Sequence, residues 1–467
     1  MKKKLLIVFL FISKVAFPQE ETANWYFGVY AGLHFQAGGP VANPSTTLVT
    51  NEGTSAISDA AGDLLFYTDG ISVWNKLHNV MANGSGLMGG ISSTQSALIV
   101  PQPGSANLFF IFTTDEIGGP NGFRYSIVDM NLQNGTGDIT SSKNVLVLNN
   151  VTEKLTAVKQ ANATDYWIAI HEWGTNAFYV YSLTAAGLQP APVISNTGII
   201  HTTAVIQNTY GQMKFSFCGD KIVSAIAYLD TVEIFDFDNA TGIVSNPVSL
   251  PLFDHVYGVE FSGDQHLLYV STYDPNGTLV QFDLTAGSTA AIIASKTMLS
   301  LTPDIYALQM ASDGKIYVCR SFSAFLGVIN DPSIPGTGCN YLDNGIDLDP
   351  NFTGATSALG LPNFVQSNFR SEITCSPNSA NELNAGNSLT VYPNPFSDNF
   401  MIQFSRINQP SEIVIYDAIG KRVDTFMIGQ NQKSFSYGKS LSNGIYFVFI
   451  KNDSGQDVIK VVKTGVN

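Results

Sequence analysis

Charged residues are scarce in this 467-residue sequence, and basic residues are the scarcer kind. Only 13% of residues are charged, with 23 Lys+Arg against 37 Asp+Glu, for a formal net charge of −14. An acidic chain repels phosphate backbones, so we expect no nucleic-acid binding. Aromatic residues nevertheless reach 11%. The solvent face must therefore be built largely from Asn, Ser, Thr and Gln, which is typical of extracellular β proteins.

Cysteine is also rare, with Cys218, Cys319, Cys339 and Cys375 and no C-x-x-C pair. This pattern gives no support to zinc or redox catalysis. An oxidising export route permits disulfides. We predict a Cys339–Cys375 bridge, because both residues lie in irregular segments near the end of the large domain. For Cys218 and Cys319 the alternative of buried free thiols is equally open.

Long apolar runs are missing, and the only leader-like segment is N-terminal. Lys2–Lys4 are followed by an apolar core, 5–12, that is too short to span a bilayer, and by a small-residue exit ending at Gln19. We predict a signal peptide over residues 1–19 and a soluble mature chain. Loss of its four lysines would change the net charge from −14 to −18.

Familiar catalytic motifs are absent as well. The sequence has no Gly-x-Ser-x-Gly elbow, no His-Glu-x-x-His, no phosphate-binding Gly loop and no cysteine nucleophile context. Repeated sialidase boxes, Ser-x-Asp-x-Gly-x-Thr-Trp, are missing too. No reaction is assigned from motifs.

A short strand pattern with a small central residue recurs at intervals of about 50 residues. Its central positions are Ala56, Ala97, Ala157, Lys214, Gly258, Ala307 and Ala358. Hairpin turns with Gly and Asp follow several copies. This period predicts an all-β fold with a seven-bladed β-propeller, whose innermost strands converge where only small side chains fit. Lys214 is the exception, and we expect it in the central channel.

The ends of the repeat region predict how the ring closes. The segment 24–35 has no blade of its own, and the strand at Ala358 lacks three following strands. We expect both in one composite blade, which leaves no open edge. The propeller is predicted over residues 24–369, followed by a Ser-, Asn- and Pro-containing linker over 370–388.

The body also resembles a known kind of domain. Gly53–Asp59, Leu64–Gly70, Tyr257–Ser262, Asp313–Tyr317 and Gly360–Phe364 are similar to WD40/YVTN-like propeller domains of many proteins exported by the bacterial type IX secretion system. The resemblance implies a propeller and export, and no particular reaction.

Residues 389–467 carry the most specific pattern. Short alternating strands predict a small immunoglobulin-like β-sandwich. The order of Tyr392, Pro393, Asn394, Pro395, Gly420, Gly444, Lys460, Val461, Val462 and Lys463 resembles the type A C-terminal sorting domain of type IX secretion. That resemblance implies recognition by the outer-membrane secretion machinery and a secreted or surface location. It also implies removal of the domain near the linker, with release or attachment to surface lipopolysaccharide.

Several residues are candidates for ligand binding. His171, Glu172 and Trp173 follow an apolar strand and could bind a sugar or supply an acid and a base. The alternative is that Trp173 packs on the rim and His171 caps a turn. Lys214 and Glu260 could face the channel, or form a buried structural pair.

Calcium is the one cofactor that the sequence raises, since Asp343, Asp347 and Asp349 surround Gly345. Calcium takes six to eight oxygen ligands, and this run supplies three carboxylates without matching an EF-hand. The alternative is a solvated acidic turn with no cofactor.

Two main functional hypotheses follow. The first is a non-enzymatic binding protein that engages an extracellular polymer or surface protein through blade loops. The second is an extracellular carbohydrate-active enzyme with its site at the channel mouth. An architectural role in a surface layer is a third possibility.

Overall fold

The computed structural model describes residues 20–252, 254–274, 277–369, 389–404, 411–417, 421–429, 432–452 and 455–464. The predicted signal peptide, the predicted linker with Cys375, and Gly420 lie outside these residues. The chain divides into two compact units, Met1–Cys375 and Ser376–Asn467. In the part of the chain that is described, no helix is both long and apolar enough to cross a membrane.

The first unit is built from antiparallel sheets, which confirms the all-β prediction. The α-helix found among its described residues, α1, covers only Thr289–Ala294. The strands form seven described sheets: β1 (Asn24–Phe27), β2 (Ala31–Gln36), β3 (Gly39–Ala42); β4 (Ser55–Ser58), β5 (Leu64–Thr68), β6 (Ser72–Asn75), β7 (Val80–Ser85); β8 (Ala97–Pro101), β9 (Leu108–Thr114), β10 (Phe123–Asp129), β11 (Asp138–Ile139), β12 (Val145–Leu148); β13 (Val151–Lys159), β14 (Tyr166–Glu172), β15 (Ala177–Thr184), β16 (Gly187–Leu188), β17 (Val193–Asn196); β18 (Met213–Phe215), β19 (Lys221–Ile226), β20 (Thr231–Asp238), β21 (Ile243–Pro251); β22 (His255–Phe261), β23 (Leu267–Asp274), β24 (Thr278–Asp283), β25 (Thr297–Ser300); β26 (Ile305–Met310), β27 (Ile316–Arg320), β28 (Phe325–Ile329), β29 (Tyr341–Asp347).

The first strands of successive sheets lie side by side, from β4 through β8, β13, β18 and β22 to β26. The segment that follows β29 joins the two ends of this row. Thr356 pairs with Val29, while the Leu359 carbonyl accepts a hydrogen bond from the Ala307 N–H at 3.1 Å and the Leu359 N–H donates to the Asn51 carbonyl at 2.8 Å. The result is a closed, propeller-like arrangement of sheets.

The small central residues have the packing that the repeat pattern implies. All six are buried: Ala56, Ala97, Ala157, Gly258, Ala307 and Ala358. Gly258 shows the constraint, since a Cβ there would lie only 2.3 Å from the Tyr306 carbonyl oxygen. Neighbouring first strands therefore approach too closely for larger side chains.

Two sets of loops share one end of these sheets. In an antiparallel sheet, the chain enters the first strand at the same end as the turn between the second and third strands. We call this end the upper face; its described segments are 28–30, 43–54, 69–71, 86–96, 115–122, 149–150, 173–176, 197–212, 227–230, 252, 254, 301–304, 321–324 and 348–355. The loop 28–30 joins β1 to β2 and belongs to this face because Val29 pairs with Val49 and Thr356. The opposite ends of the sheets form the lower face.

The described residues of the second unit form two antiparallel sheets. Its strands are β30 (Leu389–Tyr392), β31 (Phe400–Phe404), β32 (Ser411–Asp417), β33 (Arg422–Ile428), β34 (Ser434–Tyr437), β35 (Gly444–Asn452) and β36 (Gly455–Lys463). One sheet has the order β30-β31-β34 and the other β33-β32-β35-β36. Phe396, Phe400, Ile413 and Val448 belong to one buried core.

The cysteines do not pair as predicted. Cys218 is disulfide-bonded, whereas Cys319 and Cys339 are free, buried thiols. The predicted Cys339–Cys375 bridge is therefore wrong. Cys339 ends a short 3-10 turn, Gly336–Cys339. An irregular sequence around two cysteines does not bring their Cβ atoms within the short distance that a disulfide needs.

Candidate ligand-binding site

Lys214 and Glu260 meet in a fully buried ion pair. The Lys214 Nζ lies 2.5 Å from Glu260 Oε2 and also donates to the Leu308 carbonyl at 2.7 Å and Gln309 Oε1 at 2.8 Å. The Met310 N–H donates to the same Glu260 oxygen. Burial lowers the pKa of Lys214, and the neighbouring carboxylate opposes that shift. All three ammonium donors are used, so the pair ties β18, β22 and β26 together.

His171 lies near the end of β14 and is buried rather than open to a ligand. Its ring stacks on that of His201, with centroids 3.7 Å apart. Burial, with a smaller contribution from the Lys154 charge, lowers the pKa of His171 to about 3. The imidazole is therefore neutral near pH 7, and within the described chain neither ring nitrogen has a hydrogen-bond partner.

Glu172 and Trp173 occupy the turn that follows His171. Glu172 Oε2 accepts a hydrogen bond from Thr175 Oγ1 at 3.1 Å within this turn. The indole of Trp173 rests on Gly118, where a Cβ would come within 2.2 Å of the ring. The described contacts join none of these side chains to the Lys214–Glu260 pair.

The three predicted calcium ligands each accept hydrogen bonds from other residues of the chain. Asp343 accepts from Thr302 Oγ1 at 2.7 Å, Asp347 accepts from the Asp349 N–H at 2.9 Å, and Asp349 accepts from Thr353 Oγ1 at 2.7 Å. Across the described ranges, no group of three His, Cys, Asp or Glu side chains could hold a metal ion.

A different set of residues converges at the centre of the upper face, around Glu52. Its Oε2 accepts a hydrogen bond from Tyr257 Oη at 2.9 Å, and its Oε1 accepts from Ser92 Oγ at 3.4 Å. The residue is only 7% exposed. Burial, followed by the negative charge of Glu153, raises the pKa of Glu52 well above its usual value. The loops before β4 and β8 and the strand β22 thus contribute to one polar cluster.

Glu153 is the second acidic residue of this cluster, and internal hydrogen bonds hold its carboxyl group in place. Its Oε2 accepts from the Thr94 N–H at 2.9 Å and from Thr94 Oγ1 at 2.8 Å, while its Oε1 accepts from the Ile117 N–H at 2.7 Å and from Thr209 Oγ1 at 3.4 Å. Adjacent Lys154 donates to the Thr209 carbonyl at 3.0 Å. Burial lowers the pKa of Lys154 to about 7. Internal donors occupy both Glu153 oxygens.

Aromatic rings lie beside Glu52, in a group that we call the aromatic arc. It consists of Tyr228, His255, Tyr257, Tyr273 and Tyr306. Tyr257 meets Tyr306 edge-on at 5.2 Å, Tyr273 stacks on Tyr306 at 5.3 Å, and Tyr228 stacks on His255 at 3.8 Å. Tyr228 is 37% exposed and forms the open end of the arc. Such rings offer an apolar face together with a polar edge.

Close backbone packing positions Glu52. A Cβ on Gly360 would lie 2.2 Å from the Glu52 carbonyl carbon, and a Cβ on Gly53 would lie 2.4 Å from the Ser96 nitrogen. Only glycine allows the loop 43–54 to approach its neighbours this closely.

Sequence reasoning missed this site, although the repeat carried a signal for it. Glu52 and Glu153 each stand four residues before the small central residue of their copy, and Tyr257 and Tyr306 each stand one residue before it. Comparing the residues that precede the small central residue of each copy would have grouped them at the upper face.

In the second unit, the predicted sorting residues meet at the last strand. Asn394 Nδ2 donates to the Lys460 carbonyl at 2.8 Å, and Asn394 Oδ1 accepts from the Val462 N–H at 2.9 Å. Lys463 Nζ donates to the Gly438 carbonyl at 2.7 Å and lies 5.6 Å from the centroid of the Phe396 ring. These contacts clamp the segment between β30 and β31 onto β36.

The remaining motif residues flank this clamp. Tyr392, Pro393 and Pro395 are exposed beside Asn394, the Val461 side chain is buried, and Gly444 begins β35. Residues 390–464 match the secretion system C-terminal sorting domain. This domain shows that the protein is exported through the type IX secretion system to the cell surface or extracellular space. It also implies an interaction with the secretion machinery.

Comparisons with other proteins add little about the first unit. No curated protein matches the chain. A candidate 6-phosphogluconolactonase of Bacteroides fragilis has 10% identity and a TM-score of 0.45, covering 74% of this chain and 99% of its own. A similar protein of Bacteroides uniformis has 10% identity and a TM-score of 0.46, with coverages of 72% and 98%. The periplasmic gluconolactonase of Pseudomonas aeruginosa has 13% identity and a TM-score of 0.36, with coverages of 77% and 97%. These values transfer no function, and the propeller-like description rests on the sheets of the chain itself.

Proposed function

We propose that this protein is a secreted or cell-surface binding protein whose body is a seven-bladed, WD40/YVTN-like β-propeller over residues 24–369. The seven described sheets and the closed row of first strands support this architecture. The contact between Val29 and Thr356 supports a composite closing blade. We also propose a signal peptide at 1–19 and a linker at 370–388. The two-sheet unit over 389–467 is proposed as an immunoglobulin-like sandwich.

The ligand site proposed for this propeller is the centre of the upper face. The observation that carries it is the aromatic arc beside the carboxyl group of Glu52. Partly exposed rings contact a ligand through their faces, while Glu52 and the tyrosine hydroxyls provide hydrogen bonds. An extracellular polymer or a surface protein could present matching groups. The sites predicted at His171 and at the Lys214–Glu260 pair are less suitable, because those groups are buried.

An extracellular carbohydrate-active enzyme is the second candidate function. It is favoured by one observation, the electrostatic coupling of Glu52 and Glu153, whose carboxyl pKa values are both raised chiefly by burial. Glycoside hydrolysis commonly uses two such carboxyl groups. However, Glu153 is fully buried and both of its oxygens accept internal hydrogen bonds. That arrangement is more suitable for a residue that stabilises the fold than for a nucleophile or a general base.

A binding screen with matched variants tests the proposal. The purified full-length protein would be applied to glycan arrays and to immobilised envelope fractions, beside a Tyr228→Ala, Tyr306→Ala double variant. We expect signals that fall about tenfold in the double variant, since aromatic anchors dominate most interfaces. Equal signals from both proteins would contradict the site. Hydrolysis of a bound glycan, abolished by Glu52→Gln, would favour the enzyme.

The export part of the proposal has its own test. Type IX export is established by the sorting domain; removal of that domain near the linker and attachment to surface lipopolysaccharide are proposals. A chain that ends at Ser388 should remain in the periplasm. Mass spectrometry of the C-terminus of the exported protein should find residues before 389, whereas an intact C-terminus would contradict removal of the domain.

A further inference from the structure

The upper-face loops carry several strongly exposed apolar side chains. Phe352 is 95% exposed, Leu301 65%, Phe322 63%, Ile200 54% and Val49 52%. Leu301, Ile200 and Val49 lie in loops that enter first strands, and Phe322 lies in a loop that joins a second to a third strand. Phe352 lies in the loop before Thr356, which pairs with Val29, so all five share one end of the sheets. They share this end of the sheets with the aromatic arc, whose Tyr228 is also exposed. We call these five side chains the apolar rim.

Two rim residues, and two other exposed residues of the upper-face loops, are held in an unfavourable backbone conformation. Tyr30, Ile117, Phe322 and Phe352 have positive φ angles of 53°, 50°, 48° and 56°. Bulky and β-branched residues rarely adopt this region, which glycine would occupy without penalty. The sequence therefore places large exposed side chains at loop positions where they destabilise the free protein. Such strain concentrates at recognition sites.

The loops of this face are acidic, although Arg124 and Arg320 lie at the adjoining strand ends. They contain no lysine or arginine and eight acidic residues, of which the first three are buried and the other five are at least partly exposed: Glu52, Asp69, Asp115, Glu116, Asp230, Asp254, Asp304 and Asp349. The lower face differs, since its loops include Lys76, Lys296 and Lys315. A partner with positive charge is thus attracted to the upper face and guided onto it.

We infer that the upper face docks a polypeptide segment that combines lysine or arginine with apolar side chains. This inference rests on the proposed function and names the chemical class of the partner. Apolar partner residues cover Phe352, Phe322 and Leu301, while basic residues meet the carboxylates and lie against the tyrosine rings. A neutral polysaccharide presents hydroxyl groups instead. It would leave the apolar rim without an apolar partner.

Matched synthetic peptides of equal length test the inference against the full-length protein. One set combines Lys with Leu, one Lys with Ser, one Glu with Leu, and one Glu with Ser, and binding is measured by fluorescence anisotropy. We expect the Lys–Leu set to bind at least about tenfold more tightly than the other three. Equal binding of the Glu–Leu set would overturn the inference.

Variants locate the contact. A Phe322→Ser, Phe352→Ser double variant should weaken Lys–Leu binding about tenfold. The matched control, Leu77→Ser with Ile334→Ser, changes side chains that are 61% and 49% exposed on the lower face and should leave the Kd unchanged. An unchanged Kd in the first variant, or an equal loss in the control, would overturn the inference.

The outcomes also separate this inference from the proposed function. If only glycans bind, and the Tyr228→Ala, Tyr306→Ala variant abolishes that binding, the polypeptide partner is wrong while the upper-face site stands. If substitutions of the upper face change the binding of neither peptides nor glycans, the proposed function fails as well.

Discussion

Removing the lysine from the buried Lys214–Glu260 pair should destabilise the first unit strongly. In Lys214→Met, the Glu260 carboxylate stays buried without its counter-charge, and the Leu308 carbonyl and Gln309 Oε1 lose their donor. Breaking a buried ion pair from one side costs about 3–5 kcal/mol. We expect a loss of that size in the free energy of unfolding, because the two backbone donors that remain to Glu260, the N–H groups of Met310 and Phe261, carry no charge and cannot replace an ammonium group.

A double-mutant cycle isolates the pair from other effects. The variants are Lys214→Met, Glu260→Leu and both together, and we expect the double variant to lose about 1–3 kcal/mol less than the sum of the single losses. Tryptophan fluorescence during denaturant unfolding reports the first unit alone, because all four Trp residues lie between 25 and 173.

A wild-type free energy of unfolding in Lys214→Met would refute this reasoning. It would mean that the lysine is not needed to hold β18, β22 and β26 together. If that variant also lost ligand binding, the pair would belong to a functional site rather than to the core.

Three further predictions concern other parts of the chain. Burial raises the pKa of Glu52, so the folded protein favours the protonated carboxyl group. The stability that this protonation contributes is lost as the pH rises from the unfolded pKa of about 4.3 through the raised pKa. Glu52→Gln should therefore lose less free energy of unfolding than wild type between about pH 5 and 8, and identical pH profiles would contradict the shift. Gly360→Ala should cost about 1–3 kcal/mol, since the new Cβ meets the Glu52 backbone. The control Gly263→Ala, whose Cβ would meet Ser333 Oγ at an ordinary contact distance of 4.0 Å, should unfold as wild type does. Asn394→Ala should reduce the exported fraction, measured by immunoblot of culture medium and cell surface, because two hydrogen bonds to β36 are lost; unchanged export would show that the clamp is dispensable.

The repeat pattern predicted the β architecture because it reflects local chemistry. Small residues at Ala56, Ala97 and Ala157 mark the strands that crowd together, and each of these residues is buried in the first strand of a sheet. Gly- and Asp-containing turns separate the strands wherever the backbone must reverse. Both patterns, the small strand residues and the turn residues, can be recognised from residues that are close together in the sequence.

The candidate site was harder to predict because it depends on contacts over long sequence distances. Tyr257 and Glu52 are 205 residues apart and meet only after the ring of first strands closes. Conversely, His171 looked accessible from its loop position but is covered by His201, which comes 30 residues later. The cysteine pairing failed for the same reason, since sequence spacing gives no distance between side chains.

The central claim is that the upper face is covered by a partner once the protein is outside the cell. Hydroxyl-radical footprinting would compare the purified full-length protein with the protein on cells and in culture medium. We predict that Phe352, Phe322 and Leu301 are labelled in the purified protein and protected in the cultures, while Leu77 and Ile334 are labelled equally in both. Equal labelling of the upper face in both samples would contradict the account.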